Sequence, residues 1–206
     1  WGSRGEGDRT VWLNGSFYRV KWLWEDGARR LRDIHMVDER LKSNYFGQAG
    51  TSTQCVYHTL PVMDGFNWST TDKLAGVYLC ERLDGGIRTI PCGDPVMEKT
   101  GSGEITVSWE IPGTAASFEM EIGEGGFTIK CTDETMDWFL SFRAPAITQG
   151  DEISLAADIS GVSYVYKDFG YRILSIAGIP ERSGSEDELY AINPAGGRIE
   201  LDFSVR

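Results

Sequence analysis

The sequence predicts a mainly β protein, an antiparallel β-sandwich of jelly-roll or concanavalin-like type, with one amphipathic helix near the N-terminus. Apolar and polar residues alternate through much of the second half, most plainly in Ile105-Thr106-Val107-Ser108-Trp109-Glu110-Ile111 and again from Arg198 to Val205. A period of two sets one face of a strand on a core and the other in water. Gly, Pro, Asp and Asn separate these segments at fairly regular spacing, as they do where many short strands are joined by turns. Between about Ala28 and Asn44 the rhythm changes. There Leu31, Ile34, Val37 and Leu41 recur at three- and four-residue spacing, while Arg30, Asp33, Glu39 and Arg40 take other faces, which predicts the helix.

Along the chain, Val11-Trp12-Leu13 and Ser16 to Trp24 flank Asn14-Gly15, the preferred pair for a two-residue type I′ hairpin turn. The predicted helix follows, and Gly47 and Gly50 mark its exit. Strand signals resume at Thr51–Leu60 and Ala75–Leu83 with Asp64-Gly65 as a turn between them, and Asp84-Gly85-Gly86 leads into Ile87–Cys92. Pro91, Pro95 and Thr100–Gly103 form a break, read as a loop, with a possible subdivision near 93–103. Further strands are predicted at Glu104–Ile111, Ser117–Ile122, Gly126–Thr132, Trp138–Arg143, Glu152–Ile159, Val162–Lys167, Tyr171–Ile176, Leu189–Ile192 and Arg198–Val205. The strand–helix alternation of a nucleotide-binding α/β fold is absent.

A length of 206 residues suits one β-sandwich domain. The chain starts at Trp1 without an initiator Met, as a module or fragment of a larger protein does. Its hydrophobic content of 41% and charged content of 25% are those of a folded protein. A net charge of −11 argues against nucleic acid and anionic membranes, which recruit clustered Lys and Arg. No apolar stretch reaches bilayer length, so membrane insertion is not expected. Cys55, Cys80, Cys92 and Cys131 allow three pairings. Cys80 and Cys92 flank a predicted hairpin, within reach of each other, and both bridges and free thiols stay open. Without a CxxC spacing, and with only two histidines, a structural zinc site is not expected. No cofactor is implied.

Three groups of residues have chemical potential. In Phe118-Glu119-Met120-Glu121-Ile122-Gly123-Glu124, strand alternation puts Glu119 and Glu121 on one face, and a bulge after Ile122 would bring Glu124 to the same side. Paired carboxylates on one concave face serve glycoside hydrolysis. The run resembles the acidic strand motif of laminarinase-type glycoside hydrolases, which implies a nucleophile and an acid at Glu119 and Glu124, tuned by Glu121. It departs from that motif in having Glu121 for the central Asp and Gly123 at the bulge. Solvated acids on an exposed strand are the plainer reading, and the preferred one.

On the predicted helix, His35, Asp38 and Glu39 fall at i, i+3 and i+4, close enough to share a cation or a proton. They lack the paired-His spacing of helical metal motifs, so a polar helix face is preferred and no metal is assigned. A Ser-His-Asp triad using His35 or His58 has no nucleophile-elbow sequence to support it.

Seven Trp, eight Tyr and nine Phe exceed what a domain of this size needs. Exposed rings stack on the apolar faces of sugars while neighbouring polar groups bind the hydroxyls. The expected ligand-binding residues are Trp22, Trp24, Tyr57, Trp68 and Tyr78, with Asp64 and Asn67 of the loop Asp64-Gly65-Phe66-Asn67-Trp68-Ser69. Trp109 and Trp138 are expected in the core. The leading expectation is a non-catalytic module, extracellular or periplasmic, that binds carbohydrate or supports a larger carbohydrate-active protein. The alternatives are a glycoside hydrolase and a structural domain whose aromatics contact a neighbouring domain.

Overall fold

The structure, a computed structural model, describes residues 9–25, 28–41, 59–99, 103–147, 153–182 and 187–204. These residues form strands and no helix. The strands are β1 (Arg9–Asn14), β2 (Tyr18–Glu25), β3 (Ala28–Met36), β4 (Leu60–Asp64), β5 (Gly76–Leu83), β6 (Gly86–Thr89), β7 (Val96–Lys99), β8 (Ile105–Glu110) and β9 (Ser117–Ile122). Then come β10 (Gly126–Cys131), β11 (Trp138–Arg143), β12 (Ile153–Asp158), β13 (Gly161–Tyr166), β14 (Phe169–Ala177), β15 (Ile179–Arg182), β16 (Glu188–Asn193) and β17 (Arg198–Asp202). The first sheet runs β1-β2-β3-β5-β11-β16-β15, with β4 also paired to β3 and β6 to β5. The second runs β12-β13-β14-β17-β10-β9-β8-β7. Every pairing is antiparallel.

Period-two alternation builds the core. On β9, Phe118, Met120 and Ile122 are buried while Glu119 and Glu121 are exposed. Val107 and Trp109 on β8 and Ile199 and Leu201 on β17 are buried as well. The two sheets share one apolar core, and a continuous chain of rings stitches them together. It runs Tyr18–Phe203–Phe127–Trp22–Trp24–Trp109–Phe118–Trp138, with successive centroids 4.6 to 6.4 Å apart. A second group, Phe142, Tyr190, Tyr164 and Tyr171, crosses between the sheets at another place. Offset and edge-on contacts of this kind add to the area that each ring buries. Inside the first chain, the Arg29 guanidinium lies 4.4 Å from the Trp22 ring and 4.2 Å from the Trp109 ring. Arg29 is only 2% exposed, and burial lowers its pKa to about 9.

The predicted helix is not there. Residues 28–36 of it form β3 and residues 37–41 a turn segment, and a β-bulge explains the helical spacing. Trp22 pairs with Leu31 but Lys21 pairs with Asp33, so Arg32 is the extra residue. One extra residue reverses the alternation. Leu31 and Ile34, three apart, therefore both enter the core, as helical neighbours would. Val37, next in the supposed stripe, is 41% exposed. Residues 42–44 of the predicted helix lie outside the described residues.

The hairpin at Asn14-Gly15 forms with a longer connection than predicted. A two-residue turn pairs Leu13 with Ser16, whereas here Leu13 pairs with Val20 and Asn14 with Arg19. Neither Asn14 nor Gly15 has the positive φ that a type I′ turn needs. Tertiary contacts account for the register. Tyr18 is fully buried, stacks on Phe203, and its hydroxyl lies 2.9 and 2.7 Å from the carbonyl oxygens of Gly123 and Gly126. Lys167 and Asp168, with φ of 48° and 65°, make a two-residue turn between β13 and β14 instead.

The break at 93–103 contains β7, paired to β8, and β15 is a further strand the alternation did not reveal. Cys80, Cys92 and Cys131 are free buried thiols. The two that flank the β5–β6 hairpin do not bridge, because Cys92 belongs to the inter-sheet core while Cys80 packs with Phe139 and Ala191. Cys55 lies outside the described residues.

Phe118 touches both Trp109 of its own sheet and Trp138 of the other. Phe118→Ala should therefore cost about 3–5 kcal/mol, the range for emptying a large aromatic site. Urea unfolding of the two proteins measures this, and a loss below about 1 kcal/mol would mean that the ring chain contributes little.

Candidate functional site

The outer face of the first sheet, across β1 to β4, gathers the chain's most varied chemistry. Antiparallel register lines up Trp12, Lys21, Asp33 and Asp64 in one row across the four strands. The next row holds Asn14, Arg19 and His35. The bulge at Arg32 makes this possible. By reversing the alternation it turns Ile34 and Met36 inward and leaves Asp33 and His35 on the opposite face. Trp12 is 54% exposed, with the Lys21 ammonium 4.5 Å from its ring centroid. A shallow groove of about 120 Å³ is lined by Trp12, Arg19, Val20, Lys21 and Asp33.

At the β3–β4 end of the row, polar groups are more enclosed. His35 Nδ1 and Thr59 Oγ1 are 2.9 Å apart and hydrogen-bonded, while His35 Nε2 stands 4.0 Å from Asp64 Oδ2. Asp33 Oδ1 accepts the Gly65 N–H at 3.0 Å, and Asp33 Oδ2 lies 3.6 Å from Arg32 Nε. The Asp64 carboxylate organises the turn after β4. Its Oδ1 accepts the N–H groups of Phe66 and Asn67, and its Oδ2 accepts the Asn67 side-chain amide at 2.7 Å. Asp-Gly local bonding of this kind is what such a turn requires. A Cβ at Gly65 would lie 2.6 Å from the Arg32 carbonyl oxygen, so glycine lets the turn close on β3.

The charges shift one another in different directions. Burial raises the Asp33 pKa, with the neighbouring Asp64 adding to the rise against the pull of Arg32, Lys21 and the Gly65 N–H. Burial pushes Asp64 up too, but its bonds from Asn67 and Phe66 and the nearby His35 outweigh that and hold it below the ordinary carboxylate range. Burial, aided by the charge of Arg19 and opposed by Asp64, lowers His35 to about 4. Asp33, His35 and Asp64 each present a ligand atom within 4.8 Å of the other two. Among the described residues they are the group able to hold a metal ion.

The residues expected from sequence are distributed otherwise. Trp22, Trp24 and Trp68 are 0%, 5% and 3% exposed and present no ring to a ligand. They are core residues, because sheet closure needs their area more than the surface does. Tyr78 is half-buried, with its hydroxyl donated to the Leu74 carbonyl and the Arg143 guanidinium over its ring. Tyr57 lies outside the described residues, as does His58. Asp64 is partly buried and closes the outer-face row, and Asn67 is exposed in the turn after it. Trp12, Arg19, Lys21 and Asp33 were missed. The alternation on either side of Asn14-Gly15 was the signal for Trp12, since it sets Trp12 opposite in sense to Val11 and Leu13.

Glu119 and Glu121 do project from one face of the second sheet. The bulge that would add Glu124 is absent, since Ile122 pairs directly with Phe127. Glu124 sits in the turn between β9 and β10. Glu119 is flanked by Ser108 and Lys130, and Glu121 by Thr106 and Thr128, with Lys130 Nζ 3.1 Å from Glu121 Oε1. These rows hold no aromatic ring. Asp38, expected one helical turn from His35, instead pairs with Arg40. A cavity of about 530 Å³ opens between Gly93-Asp94 and Ala115-Ala116. Its one aromatic neighbour, Trp109, is 2% exposed, so beside Asp94, Glu110 and the hydroxyls of Ser108, Thr114 and Ser117 it offers no ring to a ligand.

Comparison with protein-family models, with curated proteins and with solved structures finds no match for this chain.

The His35 value makes a pH prediction. Its folded pKa of about 4 lies below the ordinary 6.5, so the unfolded chain binds the proton more readily between these values. The contribution of neutral His35 to stability is complete above about pH 6.5 and is lost as pH falls towards 4. The His35 ring should titrate near pH 4 by NMR, and His35→Gln should flatten the stability profile across that window. A ring titrating near 6.5 would contradict the assignment.

Proposed function

We propose that the chain is a non-catalytic carbohydrate-binding module, acting outside the cytoplasm alone or as support for a larger carbohydrate-active protein. Within the two-sheet class we read it as a jelly-roll or concanavalin-like sandwich. The observation that carries the reading is the row Trp12–Lys21–Asp33–Asp64 on an open sheet face. An indole more than half exposed supplies an apolar platform for the C–H face of a pyranose ring. The amine and carboxylates beside it are donors and acceptors at fixed strand spacing for hydroxyls, the division of labour expected in a sugar site. Three strand spacings separate Trp12 from Asp64, about 14 Å, and the exposed Phe66 and Asn67 border the far end. That length suits an oligosaccharide lying across the strands. A chain with a net charge of −11 also fits a largely neutral glycan better than a polyanion.

Glycoside hydrolysis draws no comparable support, because the turn position of Glu124 separates it from the strand face of Glu119 and Glu121.

Titration with a panel of soluble polysaccharides, followed by Trp fluorescence and by retardation in glycan-containing native gels, tests the proposal. At least one glycan should bind, and Trp12→Ala should weaken it ten-fold or more without altering the unfolding transition. Absence of binding across the panel, or binding unchanged in W12A, would overturn the reading.

A further inference from the structure

We propose that Asp33, His35 and Asp64 form a binding site for one divalent cation of zinc-like character. This goes beyond the saccharide reading and does not depend on it. The three ligand atoms come from a rigid frame: Asp33 and His35 two apart on β3, and Asp64 at the end of the paired β4. They lie within 4.8 Å of one another. Ligands of a tetrahedral zinc-sized ion bound at about 2.0–2.2 Å stand about 3.4 Å apart, so side-chain rotations of up to about 1.4 Å complete the set.

The imidazole points independently to a ligand. The His35 side chain is 8% exposed, yet its Nε2 stops 4.0 Å from Asp64 Oδ2, beyond hydrogen-bond reach. Its other nitrogen is engaged by Thr59 Oγ1. With Nδ1–H donating to that hydroxyl, the Nε2 lone pair is left towards Asp64, and the ring orientation is fixed in the way metal-bound histidines are fixed. The carboxylates have their own supports, from the Gly65 N–H to Asp33 and from the Asn67 amide to Asp64.

The donor set selects the ion. One neutral imidazole with two carboxylates suits zinc and its neighbours in the first transition row. Calcium takes six to eight oxygen ligands, and magnesium prefers oxygen in near-ideal octahedral geometry. Three protein ligands leave a fourth position open to water or to an exogenous oxygen. The side chains of Asp33 and Asp64 are 20% and 15% exposed, which provides the entry path. Arg32, 3.6 Å from Asp33 Oδ2, competes with the cation for that carboxylate, so moderate affinity is expected.

The test is calorimetric titration of untagged, reduced, chelator-treated full chain with Zn²⁺ in the absence of glycan, repeated with Ca²⁺. One equivalent of zinc should bind, calcium should bind at least ten-fold more weakly, and zinc should raise the melting temperature. Asp33→Asn and His35→Gln should each weaken zinc at least ten-fold while circular dichroism stays that of the parent. Asp33→Asn is the decisive variant should loss of the buried imidazole disturb folding. The Co²⁺ complex should show visible d–d bands without thiolate charge transfer. No zinc binding, binding unchanged in D33N, a thiolate band, or preference for calcium would each overturn the site. Glycan affinity is measured separately through Trp12, so failure of one proposal is distinguishable from failure of the other.

Discussion

The fold depends on a run of aromatic rings that passes back and forth between two antiparallel sheets. Either sheet alone would present Trp22, Trp24, Trp109, Phe118 and Phe127 to water. Facing each other, they bury almost their entire area. The cationic Arg29 between two of the indoles is consistent with the same geometry. Its flat guanidinium is weakly hydrated and stacks on ring faces, so it occupies a slot that a lysine ammonium would fill poorly. The aromatic excess is thus explained first by sheet closure, and only the few rings left outside are available for recognition.

One extra residue in β3 then decides what the outer face can do. Without the bulge at Arg32, strict alternation would carry the inward sense of Leu31 to Asp33 and His35, burying a carboxylate and an imidazole among indoles. With it, Ile34 and Met36 fill the core and the polar pair emerges beside Asp64. Bulges bend a strand and re-aim side chains at small cost, and here the same defect in pairing both preserves the core and assembles the polar row. Trp12 at one end and the Asp64 turn at the other share that row because β1, β2, β3 and β4 are neighbours in one sheet, although the residues are dispersed over more than fifty positions of chain.

Much of the β architecture was legible from sequence, and the parts that were not have identifiable causes. β9 and β11 match their predicted limits because Ser117–Ile122 and Trp138–Arg143 lie between short Gly-, Pro- and Asp-containing connections. β7 and β15 escaped notice because short edge strands bury little and leave weak alternation: all four residues of β7 are exposed. The spacing of Leu31, Ile34, Val37 and Leu41 is helical in number, but the Leu31–Ile34 step arises from a bulge and Val37 faces outward. Of the residues expected at a ligand surface, Trp22, Trp24 and Trp68 lie in the core, because composition reports how many rings exist and not which side of a sheet each occupies. Asp33 and Asp64 could not be joined at all, since their partnership exists only across a pairing of distant strands.

By itself the sequence determined that this chain folds into sheets, since a two-residue alternation of apolar side chains can be buried in no other regular backbone. It also determined where most turns fall, because Gly, Asp and Asn permit conformations that other residues resist. Tertiary structure alone decided which aromatic rings face inward, the bulge at Arg32, and the meeting of Asp33, His35 and Asp64. The reason is physical: alternation is a local property written in neighbouring residues, whereas register and sheet order are chosen by contacts between segments that the chain brings together only on folding.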